Sequence, residues 1–174
     1  GAKIEDIREQ VGHGAIVRVM PNTPSQVGEG ISVWAVSSQV SEEQRESVRV
    51  ILSALGEEVY VTQEKYLDMA TALSASGPAY VFLFMEAMID AGVHMGFSRD
   101  MAQKLVYQTV QGSVVFARET GLHPAVLRNM VTSPGGTTAE ALYYLEEGGL
   151  RAIVARAVEA AYEKAQSLGG TNDR

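Results

Sequence analysis

The spacing of hydrophobic positions along the chain changes once, near residue 62. Before that point, short runs rich in β-branched residues predict strands at 15–20 (AIVRVM), 31–36 (ISVWAV) and 57–62 (EEVYVT). Helices are predicted at 4–11 and again between the last two strands, where Ser41 is the expected N-cap and Gly56 the expected stop. Strand, helix and strand in this order are typical of the end of an α/β sheet.

Beyond residue 63 only helical patterns recur. They predict helices at about 64–74, 77–95, 98–118, 123–131, 136–147 and 148–168. The sequence therefore predicts an α/β N-terminal part followed by an all-α part, mainly helical overall.

The predicted helix 77–95 is apolar on nearly every face, so it needs to be buried on several sides. Glu86, Asp90 and His94 interrupt it, which favours a buried helix over a membrane span. Other helices of this chain or a second copy could cover it. We expect a homodimer, because symmetric dimers are the commonest oligomers.

Composition and charge exclude some partners and sites. The 174 residues include 14 Lys and Arg against 21 Asp and Glu, a net charge of −7 without a basic cluster, which argues against nucleic acid. The absence of cysteine excludes disulfides and thiolate metal ligands and fits a reducing compartment, so we expect a cytoplasmic protein. His13, His94 and His123 lack the spacing of a metal site and are interpreted as structural or solvated.

The segment MVTSPGGTTAEAL at 130–142 interrupts the helical half with a glycine-rich turn. Ser133 and Pro134 end one helix, two glycines follow, and Thr137 or Thr138 is the predicted N-cap of the next helix. Backbone N–H groups at a helix start favour an anion, so a carboxylate or phosphate is the predicted guest. The alternative is an ordinary turn between two helices.

The segment MPNTPSQVGEG at 20–30 lies between two predicted strands. Ligands of α/β sheets bind beyond the carboxyl ends of strands, so Asn22 and Thr23 are predicted to contact a ligand. The alternative is a rigid surface turn fixed by Pro21 and Pro24.

The segment ALSASGPAYV at 72–81 forms a third candidate loop. Ser74, Ser76 and Gly77 stand at a predicted break between two helices, with Pro78 in the first turn of the second helix. Hydroxyl groups and exposed N–H groups are again predicted to meet at a helix start.

Together, RVMPNTP, LSASGPAYVF with GVHMGFSRDMA after it, and NMVTSPGGTTAEALYYLEEGGLRAIVARAVEAA resemble the pyrroline-5-carboxylate reductase family, which performs the last step of proline biosynthesis. The resemblance covers essentially the whole chain, and the Ser-Pro-Gly-Gly-Thr stretch is its most specific part. It implies a Rossmann domain that binds NAD(P)H, and a helical domain that interlocks with a second subunit into a homodimer, often assembled into larger rings.

The resemblance also implies a division of the chain. Residues 1–62 would be the last strands of an incomplete Rossmann domain, 63–170 the helical dimerisation and substrate-binding domain, and 171–174 a tail. The glycine-rich phosphate turn and the residue that reads the ribose are missing from this sequence. We therefore expect the chain to be inactive alone.

The site residues that the resemblance implies fall into two groups. The substrate carboxylate would be held by N–H groups and the Thr138 hydroxyl, and Thr138 is also the candidate proton donor. The substrate-binding loop comprises Ser133, Pro134, Gly135, Gly136, Thr137 and Thr138, and the cofactor-binding residues are Met20, Pro21, Asn22, Ser74, Ser76, Gly77 and Pro78. Neutral dipoles suit a carboxylate here, because they add no positive charge where a hydride must arrive.

Two other functions stay open. The chain could be a non-catalytic dimerisation module or a truncated paralogue. It could also belong to a related imine or hydroxyacid reductase built from Rossmann and helical domains, although the Ser-Pro-Gly-Gly-Thr-Thr loop argues against that reading.

Overall fold

The computed structural model describes residues 1–169, so the predicted tail at 171–174 lies outside the described residues. A 3₁₀ helix, Thr23–Val27, lies between the first two strands, and a π-helical turn, Thr71–Ala75, lies between the third and fourth helices. The other elements are α1 (Ile4–Val11), β1 (Val17–Met20), β2 (Gly30–Val36), α2 (Glu42–Ser53), β3 (Gly56–Tyr60), α3 (Lys65–Ala70), α4 (Gly77–His94), α5 (Arg99–Thr120), α6 (Pro124–Met130), α7 (Thr137–Glu147) and α8 (Leu150–Gly169). The predicted fold class, a small sheet followed by helices, is confirmed.

The chain forms two compact units. Unit 1 comprises Gly1–Ala79 together with residues 155–169, and unit 2 comprises Tyr80–Val154. Helices α4 and α8 each run across a boundary between the units. The domain boundary predicted at residue 62 stays a prediction.

The sheet of unit 1 has the strand order β1-β2-β3. Strand β2 pairs in parallel with β3, Gly30 opposite Gly56, and α2 supplies the crossover that parallel strands need. Strand β1 pairs antiparallel with β2, Val17 opposite Val36. The predicted strand-helix-strand arrangement is therefore present, with an antiparallel strand added at one edge.

Helix α2 begins where the sequence predicts and ends earlier. The Ser41 hydroxyl accepts from Gln44 N at 3.2 Å, and the Gln44 side chain accepts from Ser41 N at 2.9 Å. The predicted stop at Gly56 is wrong, because the helix ends at Ser53 and Gly56 begins β3 with φ 131°. A Cβ at Gly56 would overlap the Gly30 backbone, so close strand pairing explains this glycine.

Unit 1 has its own core. Trp34 and Leu67 are completely inaccessible. Leu67 packs in a cluster with Ile4, Ile16 and Ala35. Trp34 points to the opposite face of β2 from Ala35, packs against the Tyr60 ring in a tilted arrangement and donates from Nε1 to Glu58. Both faces of the central strand are thus covered.

Unit 2 buries few apolar side chains. Its core cluster is Ile89, Ala102 and Val106, on α4 and α5. Phe82 and Leu83 of α4 are 60% and 67% exposed. The helical run Lys65–His94 is long and apolar enough to cross a membrane by length and composition, criteria that the core helix of a soluble protein also meets. The sequence predicts that α4 is buried on every face, but the described residues leave part of this helix exposed.

Candidate functional site

A tight turn precedes α7. Gly136 N donates to Ser133 O at 3.1 Å, which closes a four-residue turn with Pro134 and Gly135 at its centre. Gly135 has φ +69°, and proline followed by a glycine of positive φ is the sequence signature of a type II turn. Gly136 has φ −80°. The chain therefore enters α7 through a turn that Pro134 and Gly135 make rigid.

The N-cap of α7 is Gly136, so the predicted cap at Thr137 or Thr138 is wrong. Glycine offers no side-chain oxygen, and the first bond of the helix runs from Glu140 N to Gly136 O at 3.2 Å. Among residues 1–169, no acceptor takes the N–H groups of Thr137, Thr138 and Ala139. These donors lie at the positive end of the helix dipole, which makes the α7 start suited to an anion.

The two threonines at the α7 start differ in exposure. Thr138 is half-buried and Thr137 is exposed. Within the described part of the chain, the Thr138 hydroxyl has no hydrogen-bond partner. It is therefore free to donate to the same anion as the backbone.

The helix before the turn is capped by its own residues. The His123 Nδ1 atom accepts from Ala125 N at 3.2 Å and Pro124 follows it, so His123 is the N-cap of α6. At the other end, the Thr132 hydroxyl donates to Arg128 O at 2.6 Å. These contacts support a structural reading of His123. Residues 1–169 contain no group of three His, Asp or Glu side chains placed to hold a metal ion.

The far end of α7 is held by an ion-pair cluster. Arg151 Nη2 lies 2.7 Å from Glu146 Oε1, and Arg128 Nη1 lies 3.8 Å from the same oxygen. The hydrogen bond from Arg151, together with the charges of Arg151 and Arg128, lowers the pKa of Glu146 below its usual value. Its two arginine partners link α7 to α6 and α8.

The segment after β1 is organised by Asn22. Asn22 Oδ1 accepts from Ile31 N at 2.9 Å, and Asn22 O accepts from Ser25 N at 3.1 Å. The Asn22 Nδ2 atom donates to no atom of the described residues and stays available to a ligand. Because β1 is antiparallel to β2, its carboxyl end points toward the edge of the sheet where β2 and β3 begin, so the argument from carboxyl strand ends does not apply within this sheet.

The third candidate loop is a π-helical turn. Ser76 N donates to Thr71 O at 2.9 Å, and the Ser74 hydroxyl donates to Ala70 O at 2.8 Å. The predicted break between two helices at Ser74, Ser76 and Gly77 is therefore wrong, because a widened helical turn joins α3 to α4. Such turns occur frequently at functional sites.

Sequence reasoning missed a buried arginine. Arg18 of β1 is 7% exposed, and its Nη1 and Nη2 atoms contact Glu64 Oε1 at 3.0 Å and Asp68 Oδ1 at 3.1 Å. Glu64 Oε1 also accepts from Ile4 N at 2.9 Å, at the start of α1. The available signal was a charged residue inside the otherwise apolar run AIVRVM.

The predicted site residues divide between the units. Met20, Pro21, Asn22 and the 74–78 segment lie in unit 1, whereas the 133–138 loop lies in unit 2. Within unit 1, the Arg18 ion pairs connect the strand that ends at Met20 with the helix that leads into the π-helical turn.

A family model and two curated relatives each match more than half of this chain. The family model for pyrroline-5-carboxylate reductase dimerisation matches residues 64–168. The pyrroline-5-carboxylate reductase of Glycine max is 41% identical over 97% of this chain and 61% of the relative, and that of Synechocystis is 43% identical over 97% of this chain and 63% of the relative. The chain thus spans about three fifths of the length of these curated relatives.

Two solved structures of pyrroline carboxylate reductases share the fold of this chain. The crystal structure of Plasmodium falciparum pyrroline carboxylate reductase with NADP bound has a TM-score of 0.92 at 41% identity, covering 97% of this chain and 67% of that one. A pyrroline-5-carboxylate reductase structure from Coxiella burnetii has a TM-score of 0.91 at 39% identity, covering 98% of this chain and 64% of that one.

Proposed function

Because this chain belongs to the pyrroline-5-carboxylate reductase family, we propose that it contributes to the NAD(P)H-dependent reduction of 1-pyrroline-5-carboxylate to L-proline. Its part is to bind the substrate carboxylate at the 133–138 loop and to line the nicotinamide side with the Met20–Asn22 and 74–78 segments. The observation that carries the proposal is the α7 start, where a glycine N-cap leaves three N–H groups without an acceptor among residues 1–169.

The α7 start suits a carboxylate that must lie near a reacting C=N bond. Its donors are neutral dipoles, so they bind the anion without a full positive charge that would compete with the substrate iminium. The Thr138 hydroxyl adds one further hydrogen bond from the side chain. A substrate that binds as the protonated iminium needs no proton donor, so Thr138 is the candidate for proton donation only where the imine binds neutral.

The described residues fit one end of a dinucleotide. Asn22 Nδ2 donates to no atom of the described chain and follows Met20 and Pro21 in sequence, which suits a polar group of the nicotinamide half. Among the three described strands, none is followed by a glycine-rich turn that opens a helix, the element that holds a pyrophosphate. When bound, the nicotinamide supplies the hydride. We propose that this chain alone does not turn over substrate.

The proposed assembly is a homodimer formed through unit 2. The family model that matches 64–168 is a dimerisation domain, and α4 and α5 expose large apolar side chains that a second copy would cover. Larger rings are an extension of this proposal. The same observations favour a second candidate function, a dimerisation module without catalysis, which the substrate-binding test separates from the first.

The test compares Thr138→Val with Thr137→Val in this chain. Both variants keep the backbone N–H group and the branched shape, but only the first removes the half-buried hydroxyl. We expect Thr138→Val to weaken binding of L-proline or 1-pyrroline-5-carboxylate by about 1.5–3 kcal/mol, the usual contribution of a hydrogen bond to a charged group. Calorimetry measures the affinity, and amide NMR shifts at 137–139 locate the ligand.

Thr137→Val serves as the control and should bind nearly as the parent does. Equal weakening in both variants, or binding without shifts at 137–139, would contradict the assignment. A parent chain that dimerises and binds no carboxylate would favour the dimerisation module. Nicotinamide-dependent turnover by the purified chain would overturn the proposed inactivity.

A further inference from the structure

We propose that Arg18 is a positioning residue that holds the Met20–Asn22 segment and the π-helical turn in fixed register with each other. The inference rests on the proposed function, which places both segments at the nicotinamide side. Arg18 itself is buried and occupied by Glu64 and Asp68, and it is not expected to contact the cofactor. All of these residues belong to unit 1.

Arg18 ties the end of β1 to another element of unit 1. It lies two residues before Met20, so both side chains point to the same face of the strand. Burial of a guanidinium group requires partners for its donors, and Arg18 has two carboxylates within 3.1 Å. The end of β1 is therefore tied to whatever carries those carboxylates.

Both carboxylates that contact Arg18 lie at the start of α3. Glu64 is the N-cap residue of α3, and Asp68 lies in its first turn. One planar guanidinium group that contacts both carboxylates fixes the rotation of α3 as well as its distance from β1, which a single flexible ammonium group does not do. Arg18 thus sets the orientation of the helix that leads into the π-helical turn.

Backbone hydrogen bonds connect α3 to the π-helical turn. Thr71 N donates to Asp68 O, and Thr71 O in turn accepts from Ser76 N at 2.9 Å. A rotation of Asp68 would therefore move the turn and the residues that follow it. On the other side, Asn22 Oδ1 holds Ile31 N at 2.9 Å, so displacement of the β1 end would loosen that bond.

A matched control exists on the opposite side of the sheet. Arg49 Nε lies 3.3 Å from Glu58 Oε1, and Glu58 also accepts from Trp34. This pair holds α2 against the sheet, and it contacts neither the Met20–Asn22 segment nor the π-helical turn. Arg49 is more exposed than Arg18 and also pairs with Glu46, so Arg49→Met removes both of its ion pairs without the proposed coupling.

The experiment compares Arg18→Met, Arg18→Lys and Arg49→Met in this chain by hydrogen exchange. Arg18→Met is expected to speed exchange at both Ile31 N and Ser76 N about tenfold or more, whereas Arg49→Met leaves both at the parent rate. Arg18→Lys keeps the charge but reaches one carboxylate, so its rates should be intermediate. If Arg18→Met does not fold, Asp68→Asn removes one contact and should accelerate Ser76.

Ligand binding gives the second readout. NADPH affinity should fall at least fivefold in Arg18→Met, while L-proline affinity at the 133–138 loop stays unchanged. Parent-like exchange in folded Arg18→Met, equal acceleration in Arg49→Met, or equal losses of NADPH and proline binding would overturn the inference. A parent chain that binds neither ligand contradicts the proposed function instead, and the exchange rates at Ile31 and Ser76 then decide the coupling on their own.

Discussion

The two units of the chain use apolar residues in opposite ways. Unit 1 buries Trp34 and Leu67 completely, on the central strand and on the helix packed near it. Unit 2 contains most of the apolar helix α4, yet its Phe82 and Leu83 side chains are mostly exposed and the buried cluster of unit 2 is small. Hydrophobic content alone therefore does not show whether a region completes its own core. We propose that another copy of the chain covers the apolar surface of unit 2.

Charged residues show a parallel difference. In unit 1, Arg18 is buried and is held by two carboxylates from another element. In unit 2, the Arg99–Asp90 pair has side chains 61% and 57% exposed. A buried ion pair fixes a geometry, because each partner left alone would be unsatisfied, whereas an exposed pair exchanges its partner for water at little cost.

The largest expected effect comes from a charge placed on the exposed face of α4. Leu83→Glu would put two unpaired carboxylates into the proposed dimer interface, one from each copy. We expect the free energy of dimerisation to weaken by about 4–6 kcal/mol in total, because each of the two copies loses about 2–3 kcal/mol at a central interface residue. Light scattering across a dilution series measures the effect.

The matched control for Leu83→Glu lies in unit 1. Val50 of α2 is 65% exposed, close to the 67% of Leu83, and Val50→Glu should leave the molar mass unchanged. Equal dissociation by both variants would remove the distinction between the units. An unchanged mass for Leu83→Glu would place the interface elsewhere.

The next effect compares the two ion pairs. Arg18→Met should destabilise unit 1 by about 3 kcal/mol, the low end of the range for one partner of a buried pair, because Glu64 and Asp68 keep some access to water. Asp90→Asn should cost at most about 1 kcal/mol. Denaturant unfolding of both variants measures the two losses of unfolding free energy. Similar losses would show that burial does not determine how much an ion pair contributes to stability.

The smallest effect concerns Glu146. Its folded-state pKa is lowered, so its contribution to stability is present above the unfolded pKa and is lost as pH falls through the folded value. An NMR titration of the Glu146 carboxyl carbon should show a pKa below the ordinary value, and Arg151→Gln should raise it. Lys104→Gln, on α5, is the control and should leave it unchanged. A Glu146 titration insensitive to Arg151 would contradict the ion-pair cluster.

The sequence predicted regular elements well and their special positions poorly. The parallel β2–β3 pair with its crossover helix followed from spacing and from the Ser41 cap. The antiparallel direction of β1 did not follow, because a short apolar strand has the same residue pattern in either direction. The partners of Arg18 lie 46 and 50 residues away in sequence, a pairing that only the folded chain reveals.

The candidate site shows the same limit. Thr137 and Thr138 favour an N-cap by residue type, yet the cap is Gly136, because the turn closed by Ser133 brings its backbone to the helix start. Ser76 and Gly77 are residues typical of a helix break, and no local pattern distinguishes a break from a π-helical turn. In both places, the backbone geometry decided which N–H groups stay free.

The central claim, that a second copy completes unit 2, is tested most directly by the mass of the chain in solution. One copy has a mass of 18.7 kDa. Sedimentation equilibrium at micromolar concentration is expected to give about twice this mass or a higher even multiple. A folded species that stays at 18.7 kDa at every concentration, with the α4 side chains accessible, would contradict the account.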